Sequence, residues 1–195
     1  GKLSARNAGM LADFDIISVF VDSEVSKEVI GKMPKLKFIA TRSTGFDHID
    51  VAAAAKQGIV VSNVPFYGEN TVAEHTFALL LDLSRKIHQA VAQTKKGDFS
   101  LDGLQGFDLK GKTLGIVGMG NIGFHVARIG RGFEMNVVAF DMKPNKAVAK
   151  KIGFSYVSFE DLLKNADIIS LHVPYNKHTH HLINGSNIHL IKKGA

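Results

Sequence analysis

Short apolar blocks recur along this chain, separated by segments that carry helical punctuation. Asp15–Val21 (DIISVFV), Leu36–Ala40 (LKFIA), Ile59–Ser62, Thr113–Val117, Asn136–Phe140, Ser155–Val157 and Asp167–Leu171 (DIISL) are brief, β-branched runs of the size of buried strands. Between them, Ser26 introduces a short helix over Lys27–Lys32 that Pro34 closes off. Val51–Gln57 is Ala-rich and ends at Gly58, and Ala147–Lys151 ends at Gly153. Ser158, with Asp161 three residues on, marks the start of a helix running to Asn165. Asn184 is read as the cap of a last helix, Ser186–Ile191. The longest helical pattern runs from Thr71 to about Gln93. Val72, His75, Leu79, Leu83 and Ile87 recur on one face, and Ala78, Leu80 and Leu81 widen it. A face so broad implies burial on more than one side, against another domain or a second subunit. Lys95–Gly111 is polar and reads as a connection. This strand–helix–strand rhythm predicts an α/β fold with parallel sheets.

One block stands apart. Lys110–Gly123 reads KGKTLGIVGMGNIG, a strand breaking into Gly118-Met119-Gly120-Asn121-Ile122-Gly123 and then into a segment where Phe124, Val126, Ala127 and Ile129 share a helical face. A strand, a glycine turn and a helix N-terminus form an anion site, because backbone N–H groups and the helix dipole both face the turn. Gly118 permits the turn, Gly120 lets a pyrophosphate approach the backbone, and Gly123 lets helix and strand pack closely. Glycines cluster in many turns, so the context matters. The next strand ends in Asp141, and 141 − 123 places that carboxylate 18 residues past the last glycine. A dinucleotide site calls for an acidic residue about 20 residues on, holding a ribose hydroxyl. The competing reading is an ordinary βαβ unit whose Asp caps a turn.

Composition narrows the class. Apolar residues make up 45% of 195, ample for a core, and no run approaches the roughly 18 apolar residues of a membrane span. The first residues, GKLSARNAG, hold no apolar signal core, and Cys is absent, which removes disulfides, thiolate catalysis and zinc–sulfur sites. A cytoplasmic location is the expectation. The net charge of +6 comes from scattered lysines, often in pairs, without a long basic run; they read as solvated faces rather than a nucleic-acid surface.

Other polar stretches offer candidate chemistry. Thr41–Asp50 (TRSTGFDHID) and Asn63–Asn70 follow strands, where open parallel sheets bind ligands; the competing reading of the Gly-containing first loop is a plain connection. Glu74-His75 resembles an acid–base pair, but neighbours on a helix point about 100° apart, and a structural role is expected. His178, His180 and His181 resemble a metal cluster, yet no carboxylate or Cys set accompanies them, and no metal is expected. The abrupt opening, and the ending of a helix on Gly194-Ala195 with no strand after it, lead to the expectation that both ends are cut.

Four stretches in order resemble the D-isomer-specific 2-hydroxyacid dehydrogenases, and most closely their D-lactate dehydrogenase branch: TRSTGFDHID (41–50), NVPFYGENTVAEHTFALLL (63–81), LGIVGMGNIG (114–123) with Asp141, and DIISLHVPYNKHTHHLIN (167–184). The resemblance implies two Rossmann-like domains, doubly wound parallel sheets that are both incomplete here. Residues 1–68 would belong to the substrate-binding (catalytic) domain and 69–195 to the NAD-binding domain, with the long helix crossing into it and forming part of a homodimer interface. It implies hydride transfer between a D-2-hydroxy acid, D-lactate foremost, and nicotinamide. Ser43, Thr44 and Gly45 would surround the substrate carboxylate through backbone N–H groups, and Phe46 and Tyr67 would shape the side-chain pocket, packing being the competing role for both. Gly118, Gly120, Asn121, Ile122 and Gly123 would meet the pyrophosphate. Asp141 would accept from the adenosine ribose and favour NAD over NADP, although Lys143 and Lys146 stand close in sequence. His172, Val173 and Pro174 would line the adenine side, and Thr179 and Val72 would lie near the cofactor. The family often has Thr where Asn176 stands. The Arg, Glu and His that perform the chemistry in that family have no counterpart here and are expected beyond Ala195, so the chain itself is expected to be inactive. A second reading from another class is a dinucleotide-sensing regulatory protein like the corepressors that resemble this family; a third is a non-catalytic NAD-binding remnant.

Overall fold

The computed structural model describes all 195 residues. They form two compact units, Gly1–Gly68 and Glu69–Ala195.

In the first unit three parallel strands lie in the order β1 (Ile16–Val19), β2 (Phe38–Thr41), β3 (Val60–Ser62). Helix α1 (Lys27–Gly31) starts on Ser26, whose hydroxyl accepts from Val29 N–H, and α2 (Val51–Lys56) starts on Asp50, whose carboxylate accepts from Ala53 N–H at 2.8 Å. Gly58 takes φ +70° just past α2, as the glycine stop requires. Alternation along the strands puts Ile17, Val19 and Ile39 into a core with Val25, Val29, Ile30 and Ala54. The opposite row, Ile16–Phe38–Val60, is aligned by the register, and its two edge residues are exposed.

The second unit is a four-stranded parallel sheet, β6-β5-β4-β7, built from β4 (Thr113–Val117), β5 (Asn136–Phe140), β6 (Ser155–Tyr156) and β7 (Ile168–Leu171). Strands β4 and β5 are joined by α5 (Asn121–Gly132), β5 and β6 by α6 (Lys146–Ile152), and β6 and β7 by α7 (Phe159–Asn165). Ser158 caps α7 as expected, accepting from Asp161 N–H at 3.0 Å. Leu162 and Leu163 are fully buried, and Leu162 presses so closely on β4 that Gly115 has no room for a Cβ.

The long helix departs from expectation. Rather than one helix to Gln93, there are two, α3 (Glu69–Arg85) and α4 (Ile87–Lys95), broken at Lys86 with φ 52°. The Asp82 carboxylate accepts from His88 N–H at 2.9 Å and meets the His88 ring at 2.8 Å, so a side chain one turn upstream satisfies a donor of the new helix. The buried stripe also differs. Ala73, Phe77 and Ser84 face inward, whereas Val72, Leu79, Leu83 and Ile87 are exposed. Phe77 lies against Gly130 of α5 and stacks on Phe133 at 5.4 Å, which selects the inner face. The last helix is only a 3₁₀ turn, Ile188–Leu190, started by Asn187, with Asn184 accepting from Ser186 N–H ahead of it. No helix is long and apolar enough to cross a membrane.

Leu162→Ala is expected to destabilise the second unit by about 2–5 kcal/mol, since the cavity it leaves lies against β4. Urea denaturation followed by circular dichroism measures this, and a loss well under 1 kcal/mol would show that the α7–β4 contact is slack.

Candidate functional site: the mouth of the second sheet

Three strand ends meet at Gly118. Its N–H donates to Phe140 C=O at the end of β5 (2.9 Å), and His172 N–H donates to Val117 C=O from the end of β7 (2.7 Å). Gly118 has φ +94°, and a Cβ there would stand 2.6 Å from the His172 carbonyl oxygen. Any side chain is therefore excluded twice, by conformation and by space. A Cβ on Gly123 would run into the Gly118 carbonyl, so the first turn of α5 sits directly on the turn that precedes it. Gly120 is the opposite case. It is exposed, with no atom within 4 Å of a would-be Cβ, and as the N-cap of α5 it offers no side chain to the free N–H groups of the helix.

Beside this turn opens a cavity of about 580 Å³. The turn contributes Gly118 and Gly120, β5 leads into Asp141 and Met142, and the segment after β7 supplies His172, Val173, Pro174 and Thr179. Asp141 is held by two backbone donors: Met119 N–H reaches one oxygen at 2.7 Å and Lys143 N–H the other at 2.7 Å. Lys143 thus contributes its backbone, and neither it nor Lys146 forms an ion pair with Asp141. The His172 Nε2 lies 2.8 Å from Ser170 Oγ, and burial lowers the imidazole pKa below its ordinary 6.5.

The sequence-derived residues are thus partly gathered. Asn121, Ile122 and Gly123 form the first turn of α5 beside the cavity, while Val72 stands exposed on α3 outside its lining. Met142, Leu182 and His178 line the cavity without having been singled out for it. Position directly after the acidic strand end is the one signal that pointed to Met142; His178 and Leu182 arrive through the path of a loop. Glu74 accepts from Asn70 Nδ2 on an exposed part of α3 and is not paired with His75. His180 meets Tyr175 Oη at 2.6 Å and packs on the His181 ring, and no group of three or more His, Cys, Asp or Glu is arranged as metal ligands.

In the first unit, Ser43, Thr44, Gly45 and Phe46 form the loop after β2. It is tied to the loop after β3, with Asn63 Nδ2 donating to Thr44 C=O at 2.8 Å and Thr44 Oγ1 to Val64 C=O at 3.0 Å. Ser43 is buried; Thr44, Gly45, Phe46 and Tyr67 are exposed.

An uncapped helix N-terminus at a topological switch point, a glycine open to ligand approach and a strand-end carboxylate define a dinucleotide-binding fold. Residues 77–195 match the family described as "D-isomer specific 2-hydroxyacid dehydrogenase, NAD binding domain", and residues 1–97 match its "catalytic domain". The chain belongs to the D-isomer specific 2-hydroxyacid dehydrogenase family. It is 37% identical over 195 residues to a D-lactate dehydrogenase of Escherichia coli (99% of this chain, 59% of the relative) and 39% identical over 190 residues to a glyoxylate reductase of Thermococcus litoralis (94% and 57%). Its structure is similar to that of a D-lactate dehydrogenase from Aquifex aeolicus complexed with NAD and lactic acid, with a TM-score of 0.88 at 44% identity, covering 95% of this chain and 56% of that one. The chain thus spans about 59% of the length of the first of these relatives. The cofactor of the matched domain is NAD, and the open helix end, the space over Gly120 and the anchored Asp141 fit it.

Because burial favours neutral His172, the unfolded state takes up a proton first as pH falls through about 6.5. This contribution to stability is intact well above that pH, is lost progressively below it, and levels off below the lowered folded pKa. Comparing urea midpoints of the second unit at about pH 7.5 and about pH 5.5, His172→Asn is expected to show a smaller acid loss than the wild type. An unchanged loss would show that His172 is freely protonated in the fold.

Proposed function

We propose that this chain is the cofactor-binding and substrate-docking part of an NAD-dependent dehydrogenase that interconverts a D-2-hydroxy acid, D-lactate foremost, and its 2-keto acid. The observation that carries the reading is the Gly118–Gly123 turn with Asp141 fixed beside it, within a chain whose family match covers both units. The bound nicotinamide supplies the hydride acceptor or donor. The N–H groups at the start of α5 bind the pyrophosphate, and Asp141 receives ribose hydroxyls while repelling a 2′-phosphate. Val173, Pro174 and Leu182 keep water from the adenine side, and Thr179 orders the loop through hydrogen bonds to Asn176 and Pro174. In the first unit the N–H groups of Thr44 and Gly45, with Ser43 behind them, receive the substrate carboxylate, while Phe46 and Tyr67 bound its side chain. Residues 1–68 act as the substrate-binding domain and 69–195 as the NAD-binding domain. A homodimer in the cytoplasm is the working assembly, with the exposed apolar positions of α3 supplying its contact.

The cavity is lined by no Arg and by no His paired with a carboxylate, and His88, which meets Asp82, is exposed on α4 outside that lining. The 195-residue chain with pyruvate is therefore expected to leave NADH unoxidised while binding it. A longer polypeptide, carrying this chain and a C-terminal segment like that of its relatives, is expected to turn over. Measurable turnover by the chain alone would overturn the division of labour; binding without turnover by the longer polypeptide would favour the dinucleotide-sensing reading. For cofactor choice, Asp141→Ala is expected to reduce the NAD:NADP affinity ratio at least tenfold by calorimetry, about 1.4 kcal/mol. An unchanged ratio would remove Asp141 from cofactor selection.

A further inference from the structure

The loop that follows β2 holds a chain of hydrogen bonds whose direction can be worked out. Ser43 Oγ lies 2.7 Å from Gly45 C=O, and a carbonyl can only accept, so the single Ser43 hydroxyl proton is committed there. Thr41 Oγ1 lies 2.6 Å from Ser43 Oγ, so Thr41 must donate to Ser43. That commits the Thr41 proton as well. His48 Nε2, 3.1 Å from Thr41 Oγ1, is left as the donor that Thr41 accepts from. The order is His48 Nε2–H to Thr41 to Ser43 to Gly45 C=O, and it requires the imidazole to carry its proton on Nε2.

The surroundings hold both ends of this relay. The His48 backbone is pinned at its C=O, which accepts from Val25 N–H at 2.9 Å, beside a parallel bridge between Val25 and Ile49. Thr41 and Ser43 are each 2% exposed, so water does not compete for their hydroxyls. At the far end, drawing the Gly45 carbonyl inward turns the Phe46 N–H of the same planar peptide the other way. No hydrogen bond within the chain occupies the N–H groups of Thr44, Gly45 or Phe46. They stand as a row of free donors on an exposed loop.

We infer that His48 is a positioning residue for this loop, orienting through Thr41 and Ser43 the Gly45–Phe46 peptide so that Phe46 N–H joins the donors that receive a substrate carboxylate. The inference rests on the carboxylate-binding role proposed above for Ser43–Gly45. It adds Phe46 N–H to the donors and His48 to the residues that shape them. A side chain that can donate from the position of Nε2 should serve as well as histidine; an apolar one should not.

The test is ¹⁵N-resolved NMR of the whole 195-residue chain titrated with pyruvate. The wild type is expected to show a proton on His48 Nε2 and pyruvate-dependent shifts at the Thr44, Gly45 and Phe46 amides. Those shifts should be lost in His48→Leu and kept in His48→Gln, whose side-chain amide can still donate to Thr41. Thr41→Val, near-isosteric, breaks the relay at its middle link and should lose them too, with the core amides of Ile39 and Ala54 reporting an intact fold. An Nδ1–H tautomer, or shifts that survive in both His48→Leu and Thr41→Val, would overturn the role of His48 while leaving the substrate reading standing. A wild type with the Nε2 proton in place but no pyruvate response at these amides would instead defeat the substrate reading, and this role with it.

Discussion

The second unit depends on the fact that nothing larger than hydrogen fits at Gly118. There β4 ends, the carbonyl that closes β5 accepts from the turn, and the strand leaving β7 passes close enough to forbid a Cβ. Strand order reverses at this point, with β5 and β7 on either side of β4. The same residue therefore closes the sheet and opens the kind of crevice in which open parallel sheets bind ligands. Gly123 carries the constraint one turn further by letting α5 seat itself against the turn, which aims its free N–H groups into that crevice. Asp141 completes the arrangement by accepting from Met119, so the carboxylate and the glycine turn hold each other in place.

Much of this was legible in the residues. The strands, the caps at Ser26 and Ser158, and the glycine stops at Gly58 and Gly153 are local events, each decided within one turn of the chain. The glycine pattern and Asp141 could be read because phosphate approach tolerates few alternatives at those positions. Less legible was whatever depends on a partner distant in sequence. The periodicity of α3 points to one broad face through Val72, Leu79 and Leu83, and the bare backbone of Gly130 and the ring of Phe133 turn Phe77 inward instead. The break at Lys86 was hidden for another reason. Lysine gives no warning of a left-handed turn, and the helical pattern continues past it; the cause lies in the Asp82 side chain capping the next segment.

The two sites differ in how they hold polar atoms. In the cofactor cavity, donors are left open by the absence of side chains: no cap at Gly120, no Cβ at Gly118. In the loop after β2, the Phe46 N–H is turned outward because the buried Ser43 hydroxyl engages the Gly45 carbonyl on the other side of the same peptide. Both leave backbone N–H groups free, one by deletion and one by recruitment. A sequence motif records the first readily, since deletion needs glycine. Recruitment can be met by several hydroxyl and imidazole combinations and leaves a fainter trace.

The interruption at Lys86 has a geometric consequence for whatever covers the outer face of α3 and α4. Leu79 and Leu83 stand before the break, Ile87 and Val91 after it, and all four are exposed. On one continuous helix they would form a single seam that a straight partner helix could follow knob into hole. With the hydrogen-bond ladder cut between them, the seam is divided into two facets of different direction. Only a bent or two-part surface can close over both at once.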